Sequence, residues 1–160
     1  MIKEFEFFHG VALARIAHRN ESGYSISSYP TLSNSSYTIN NKVGLYIKYS
    51  TKRMSPWSFS FKKTHQDEIL EMKNKIGEVY TVLVCNNDGI VCLSFDELKR
   101  LLDAEHNEIE WISVSRSARE KYLVKGSDGK LKYKIGNNEF PEKIFLPVKD
   151  KPGVFSWFKQ

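Results

Sequence analysis

No aspartate or glutamate occurs between Glu21 and Asp67. That absence excludes a carboxylate-held Mg²⁺ within the stretch, because Mg²⁺ takes hard oxygen ligands. Cysteine is nearly missing as well. Cys85 and Cys92 are the only two, each inside an apolar strand-like run. A disulfide framework and a zinc spacing are both excluded, and a reducing cytoplasm is the expected location. The four histidines, His9, His18, His65 and His106, show no H-x-x-x-H or H-E-x-x-H spacing. No apolar run approaches the roughly 18 residues of a membrane span. The N-terminal MIKEFEFFHG carries two glutamates and lacks a signal-peptide layout. There is no phosphate loop, dinucleotide fingerprint or nucleophile elbow. Asp88-Gly89 and Asp128-Gly129 read as turns, since a calcium loop needs further oxygen ligands at fixed steps.

What is present is basic and patterned. The net charge is +5 and the isoelectric point is near 9.1, a balance that favours acidic partners. Within residues 41–63, Val43, Leu45 and Ile47 alternate with Gly44, Tyr46 and Lys48, the period of a strand with one buried face. A Ser55-Pro56-Trp57 corner follows, since Pro56 pushes Ser55 out of the helical region. Phe59 and Phe61 then alternate with serines. Six cations fall here, Lys42, Lys48, Lys52, Arg53, Lys62 and Lys63.

In chain order, residues 5–19 predict a helix, with Phe5, Phe8, Ala12 and Ile16 at helical spacing and Leu13 and Ala17 broadening the stripe. His9 and His18 are expected to be solvated or locally bonded. Tyr24–Ser27 and Ser35–Ile39 read as short strands, and Asn40-Asn41-Lys42 turns the second into Val43–Ser50. Trp57–Phe61 is a further strand beside Val43–Ser50. Thr64 reads as the N-cap of a helix over 65–76, with Asp67 and Glu68 at its positive end and Gly77 closing it. Val79–Cys85 is apolar enough to be buried on both faces. Asn86 to Gly89 is a hairpin turn, returning as Ile90–Leu93. If Asp88-Gly89 is a two-residue loop, Cys85 and Cys92 face each other. Ser94 and Glu97 form a capping box for a helix over 95–103. Trp111–Ser115, Lys121–Lys125 and Leu131–Ile135 read as strands, and Pro147 breaks up a tail ending in Phe155, Trp157 and Phe158.

Six cations on strands also fit the solvated face of a half-buried sheet. The length of the acid-free span, and the interleaving of cations with Tyr46, Tyr49, Trp57 and hydroxyls, favour a polyanion. Cations neutralise phosphate while hydroxyls donate to backbone oxygens. The expected nucleic-acid contacts are Lys42, Lys48, Lys52, Arg53, Trp57, Lys62, Lys63 and His65, extended by Arg116 and Arg119. His65 follows Phe61-Lys62-Lys63 and is placed to face the basic sheet.

The order over residues 5–94 is helix, three strands, helix, strand and a further strand. It resembles the restriction-endonuclease-like core, the PD-(D/E)xK superfamily that includes Holliday junction resolvases. Leu45-Tyr46-Ile47-Lys48 falls where the [Asp/Glu]-x-Lys motif should be, and Lys48 matches its lysine. Tyr46 stands where the acid should be, and Ser35, Ser36 and Tyr37 where the Pro-Asp should be. The resemblance covers a little over half of the chain. It implies either a catalytically degenerate member, or a Mg²⁺-dependent nuclease that uses Lys48 with relocated acids, for which Glu6, Asp67 and Glu68 are the candidates.

The expected architecture is therefore α/β or α+β. Residues 1–104 form a mixed central sheet flanked by helices, and 105–160 a small β-rich extension packed on it. The expected function is nucleic-acid binding, DNA ahead of RNA, without a cofactor. The alternatives are the Mg²⁺-dependent nuclease, with Lys48 and Glu68 catalytic, and a protein-interaction or inhibitor module whose basic face meets an acidic protein.

Overall fold

The computed structural model describes residues 1–19, 23–103, 105 and 108–146. Expectations for His106, Pro147, Phe155, Trp157 and Phe158 lie outside them. The protein is mixed α/β, with two separate sheets. Helix α1 (Glu4–Ala17) leads into β1 (Ile26–Ser28), β2 (Ser36–Ile39), β3 (Val43–Ser50) and β4 (Trp57–Phe61). Helix α2 (Lys63–Ile76), β5 (Val79–Cys85), β6 (Gly89–Ser94) and α3 (Phe95–Leu101) follow. The last part holds β7 (Glu110–Ser115), β8 (Leu123–Gly126), β9 (Gly129–Lys130) and two 3-10 turns, Asn137–Glu139 and Glu142–Phe145. The large sheet runs β1-β2-β3-β5-β6, with β3 and β5 parallel and its other pairs antiparallel. The small sheet runs β4-β7-β8-β9.

The apolar run of β5 is buried throughout, as its lack of alternation requires. Its faces feed two cores. Val79, Leu83 and Cys85 join Tyr46, α2, α3 and the inner face of the small sheet. Tyr80, Val82 and Val84 join Leu45, Ile47, and Ala12 and Ile16 of α1. Phe140 and Ile144 of the C-terminal segment close that second core.

The placement of β4 departs from expectation. Trp57–Phe61 does not lie beside β3 in one sheet; it pairs antiparallel with β7, from Trp57↔Val114 to Phe61↔Glu110. The reason is its pattern. Trp57, Phe59 and Phe61 are all buried and need a deep apolar layer, which the space between the sheets supplies. This pairing crosses the boundary expected near residue 105.

Four local expectations also change. The N-cap of α2 is Lys62, not Thr64. His65 Nδ1 accepts the Lys62 backbone N–H at 3.1 Å, the service that Glu or Gln performs in a capping box. The β5–β6 loop spans Asn86, Asn87 and Asp88, with Asn86 left-handed at φ 48°. Cys85 therefore pairs with Gly89 and Cys92 with Val82, and the odd register shift puts the cysteines in different cores. Leu131–Ile135 is not a strand. Only Ile135 bridges to Tyr122, because the chain bends to bring the Tyr133 hydroxyl onto Glu97 Oε2 at 2.7 Å. His9 is buried rather than solvated. Its Nδ1 lies 2.8 Å from the Tyr37 hydroxyl, and burial pulls its pKa down to about 4.

The small sheet is locked to the end of α3 by close backbone approach. A Cβ on Gly126 would lie 2.4 Å from the Leu101 carbonyl oxygen and 2.8 Å from its Cβ. Backbone cannot yield there as a flexible side chain could. Gly126→Ala is expected to destabilise the fold by about 1–3 kcal/mol, read as a lowered urea midpoint, with spectra at low urea reporting intact secondary structure.

Candidate nucleic-acid interface

Lys48 is the sequence-predicted lysine that the fold does not leave on the surface. It projects from β3 toward the first turn of α2. Its ammonium lies 3.2 Å from His65 Nδ1 and 4.9 Å from the centre of the Phe61 ring. Burial, and then the charge of Lys62, hold its pKa down at about 8, against the pull of Glu68. The ammonium is thus still mostly charged at pH 7. His65 Nδ1 receives donors from both the Lys62 backbone and Lys48. It is therefore the unprotonated nitrogen of a neutral ring. Burial and the Lys48 charge push the ring's pKa down in agreement.

One turn along α2, Glu68 meets Tyr46. The Tyr46 hydroxyl donates to Glu68 Oε1 at 2.7 Å, the Ser33 hydroxyl donates to the same oxygen at 2.8 Å, and the Ser33 N–H reaches Oε2 at 3.4 Å. Burial, with Glu68 beside it, raises the Tyr46 pKa, so the phenol stays neutral. Glu68 is thus the acid that the fold brings to Tyr46 and Lys48. The other two candidates do not join it. Glu6 lies on α1, which packs on the opposite face of the large sheet, where it accepts the Lys3 N–H at 3.2 Å. Asp67 is exposed and paired with Lys63 at 2.8 Å. A Mg²⁺ site does not fit here. One carboxylate, with both oxygens already accepting hydrogen bonds, sits beside a neutral phenol and a cation.

The remaining predicted contacts divide by location. Lys42 is exposed in the β2–β3 turn. It lies at the far end of β3 from Lys52, with the strand itself roughly 23 Å long at about 3.3 Å per residue. Lys52 and Arg53 are exposed on the β3–β4 loop, and Lys62 is exposed beside His65. Trp57 is only 2% exposed and offers no stacking surface. Instead its indole N–H donates to the Lys52 carbonyl at 2.8 Å, anchoring the basic loop. Arg116 lies against that loop: its N–H donates to Ser55 Oγ at 3.2 Å. Its guanidinium grips Asp88 through Nε at 2.8 Å and a second nitrogen at 2.9 Å, and lies 4.9 Å from the centre of the Tyr122 ring. Arg119 is exposed, at φ 67°.

Where the two loops meet there is a cleft of about 260 Å³. Ser55, Ser115, Ser117, Arg116, Lys121 and Lys134 line it. Its acid, Glu120, is paired with Lys134 at 3.2 Å. Sequence reading found Arg116 and missed the serines, Lys121 and Lys134, which no local pattern connects to Ser55.

A carboxyl cluster lies at the other end of β7. Oxygens of Asp103, Glu110 and Asp128 all fall within 4.8 Å of one another. Burial first, then protons shared with Asp103 and Asp128, raise the Glu110 pKa to about 7, against a hydrogen bond from Gln66 at 3.2 Å.

No protein-family model, curated protein or solved structure matches the chain. Among the described residues, no helix is long and apolar enough to cross a membrane.

Glu110 supplies a pH test. The folded state holds this proton more tightly than the unfolded chain does. Stability from the protonated form is therefore full below the ordinary carboxyl range and is lost as pH rises toward about 7. Glu110→Gln is expected to flatten that part of the profile, measured as urea midpoints between pH 4.5 and 7.5. A profile unchanged in the variant would assign the fall to other groups.

Proposed function

We propose that this protein binds nucleic acid through its sugar-phosphate backbone, on a restriction-endonuclease-like core, and does not cleave it. The reading is carried by the contact of Arg116 with Ser55. It joins the Lys52-Arg53 loop to the Arg116–Lys121 loop around a small cleft of hydroxyls and cations. Phosphate oxygens accept from serine hydroxyls and from Arg and Lys together, in the layer that fixes register without reading sequence. The core assignment is supported by the order α1, β1–β3, α2 and β5 within one sheet and its helices, and by Lys48 facing α2 from β3. Tyr46 in the place of the motif acid, with Glu68 held by Ser33 and Tyr46, supports loss of metal-dependent chemistry.

Binding is tested with labelled DNA and RNA over a salt series. Lys52→Ala with Arg53→Ala should weaken binding alike across sequences. The slope of log affinity against log salt should shrink by about 0.7 to 0.9 for each phosphate that the variant no longer neutralises. If the wild type binds neither DNA nor RNA at low salt, a basic face meeting an acidic protein takes this reading's place.

Cleavage is tested with single-stranded, double-stranded and branched DNA in Mg²⁺ or Mn²⁺. No product is expected. Cleavage that disappears in both Lys48→Ala and Glu68→Ala, with folding intact, would establish an enzyme instead.

A further inference from the structure

Among the described residues, the small sheet is covered on one side only. Its inner face, with Trp57, Phe59, Phe61, Ile112, Val114 and Val124, packs into the core between the sheets. The outer face follows from strand alternation and register. Ser60 stands opposite Trp111, Ser58 opposite Ser113, Ser113 opposite Lys125, and Ser115 opposite Leu123. On the edge, Lys125 stands opposite Lys130. Among the described residues of these strands no carboxylate points outward, since Glu110 is turned in and buried.

Three features of this face call for a ligand. Trp111 is 43% exposed, with Ser60 opposite it on one side and Ile109 and Ser127 beside it on the other. Lys125 and Lys130 form a like-charge pair directly across two strands, a modestly unfavourable arrangement that a bound anion would relieve. Both are exposed and carry no ion pair among the described residues. Finally, Ser115 and Leu123 belong both to this face and to the lining of the cleft beside Arg116. Cleft and face form one continuous surface.

We propose that the outer face of the small sheet is a platform for single-stranded nucleic acid, with Trp111 stacking on a base and Lys125 and Lys130 holding phosphate. This inference rests on the nucleic-acid reading and adds to it the strand state and the stacking residue. An indole exposed on a sheet face reaches a base face only when that base is unpaired and splayed outward. The serines offer hydroxyl donors without side chains tall enough to keep a strand off the sheet. From Ser115 to Trp111 the face runs four residues along β7, roughly 13 Å. At its far side Trp111 also lines an acidic pocket with Asp103, Glu105, Glu108 and Asp128, whose charge repels phosphate. The bound strand therefore ends at the tryptophan and leaves through the cleft at the Arg116 end.

The test compares a labelled oligothymidylate with a duplex of equal length, using wild type, Trp111→Ala, Trp111→Phe and Lys125→Ala with Lys130→Ala. Trp111→Ala is expected to weaken single-strand binding roughly 5- to 150-fold, the equivalent of removing one base stack. It should leave the salt slope and duplex binding unchanged. Trp111→Phe, which keeps a ring, should retain most of the affinity. The double lysine variant should shrink the single-strand salt slope by about 1.4. If Trp111→Ala binds the single strand as wild type does, or Trp111→Phe falls as far as Trp111→Ala, the platform is overturned. Should the Lys52 and Arg53 variant still weaken binding in that case, the backbone reading survives. If the wild type binds neither oligonucleotide, both readings fall together. Trp111 is exposed, so its variants should fold, and their urea midpoints check this.

Discussion

The pairing of β4 with β7 is the constraint on which the rest of this structure depends. Five residues with aromatic rings at Trp57, Phe59 and Phe61 leave the large sheet and start a second one. Their rings fill the layer between the sheets together with Tyr46, Leu83, Val91 and Ile112. Burial of several large aromatic side chains is one of the strongest local driving forces a domain of this size has. It also sets the surface. With those rings turned inward, Ser58 and Ser60 must turn outward, and β7 pairs so that Trp111, Ser113 and Ser115 share their face.

The same diversion creates the half-buried Lys48. With β4 packed over β3, Phe61 lies beneath the lysine and α2 begins beside it. His65 then does two tasks with one atom: Nδ1 accepts the Lys62 N–H that starts the helix and the Lys48 ammonium. The ring must be neutral to do both. A protonated His65 would place a second charge against Lys48 in a site that burial already makes unfavourable for one. Glu68 relieves part of that cost from the next turn, while its own oxygens are held by Tyr46 and Ser33. The arrangement is a satisfied polar network linking β3, α2 and the loop before β2.

Asp88 connects the two sheets at their other end. It closes the β5–β6 turn through its N–H to the Cys85 carbonyl, and it accepts from Arg116 and from the Tyr122 hydroxyl at 2.5 Å. Burial works against its charge, but these hydrogen bonds prevail and hold its pKa below the ordinary carboxylate range. The Arg116 loop is thereby fixed to the rigid hairpin of the large sheet. Through Ser55 it fixes the Lys52-Arg53 loop in turn. A further ion pair, Lys143 with Glu97 at 2.7 Å, is buried and fully bonded through the Cys92 carbonyl and Tyr133. It ties the C-terminal segment to the capping box of α3.

Much of the local structure was legible in the sequence. Period-2 alternation marked β3 and β4 to the residue, an unbroken apolar run marked β5, and Ser94 with Glu97 marked the start of α3. Each of these signals lies within a few residues of chain, where backbone sterics and local hydrogen bonds decide the outcome. Lys48, His65 and Glu68 were also legible as residues of interest, Lys48 from its place in the basic strand, His65 from following Phe61-Lys62-Lys63, and Glu68 as one of three candidate acids. What only the tertiary structure decided was partnership and facing. Nothing local in Trp57–Phe61 says that its neighbour is about fifty residues away, so Trp57 read as a surface aromatic when it is a core anchor. Trp111 sits in step with Ser113 and Ser115 and out of step with Ile112 and Val114, a hint of exposure that alternation alone carried. Its serine and lysine neighbours come from β4, β8 and β9, and only strand pairing across the chain could set them beside it.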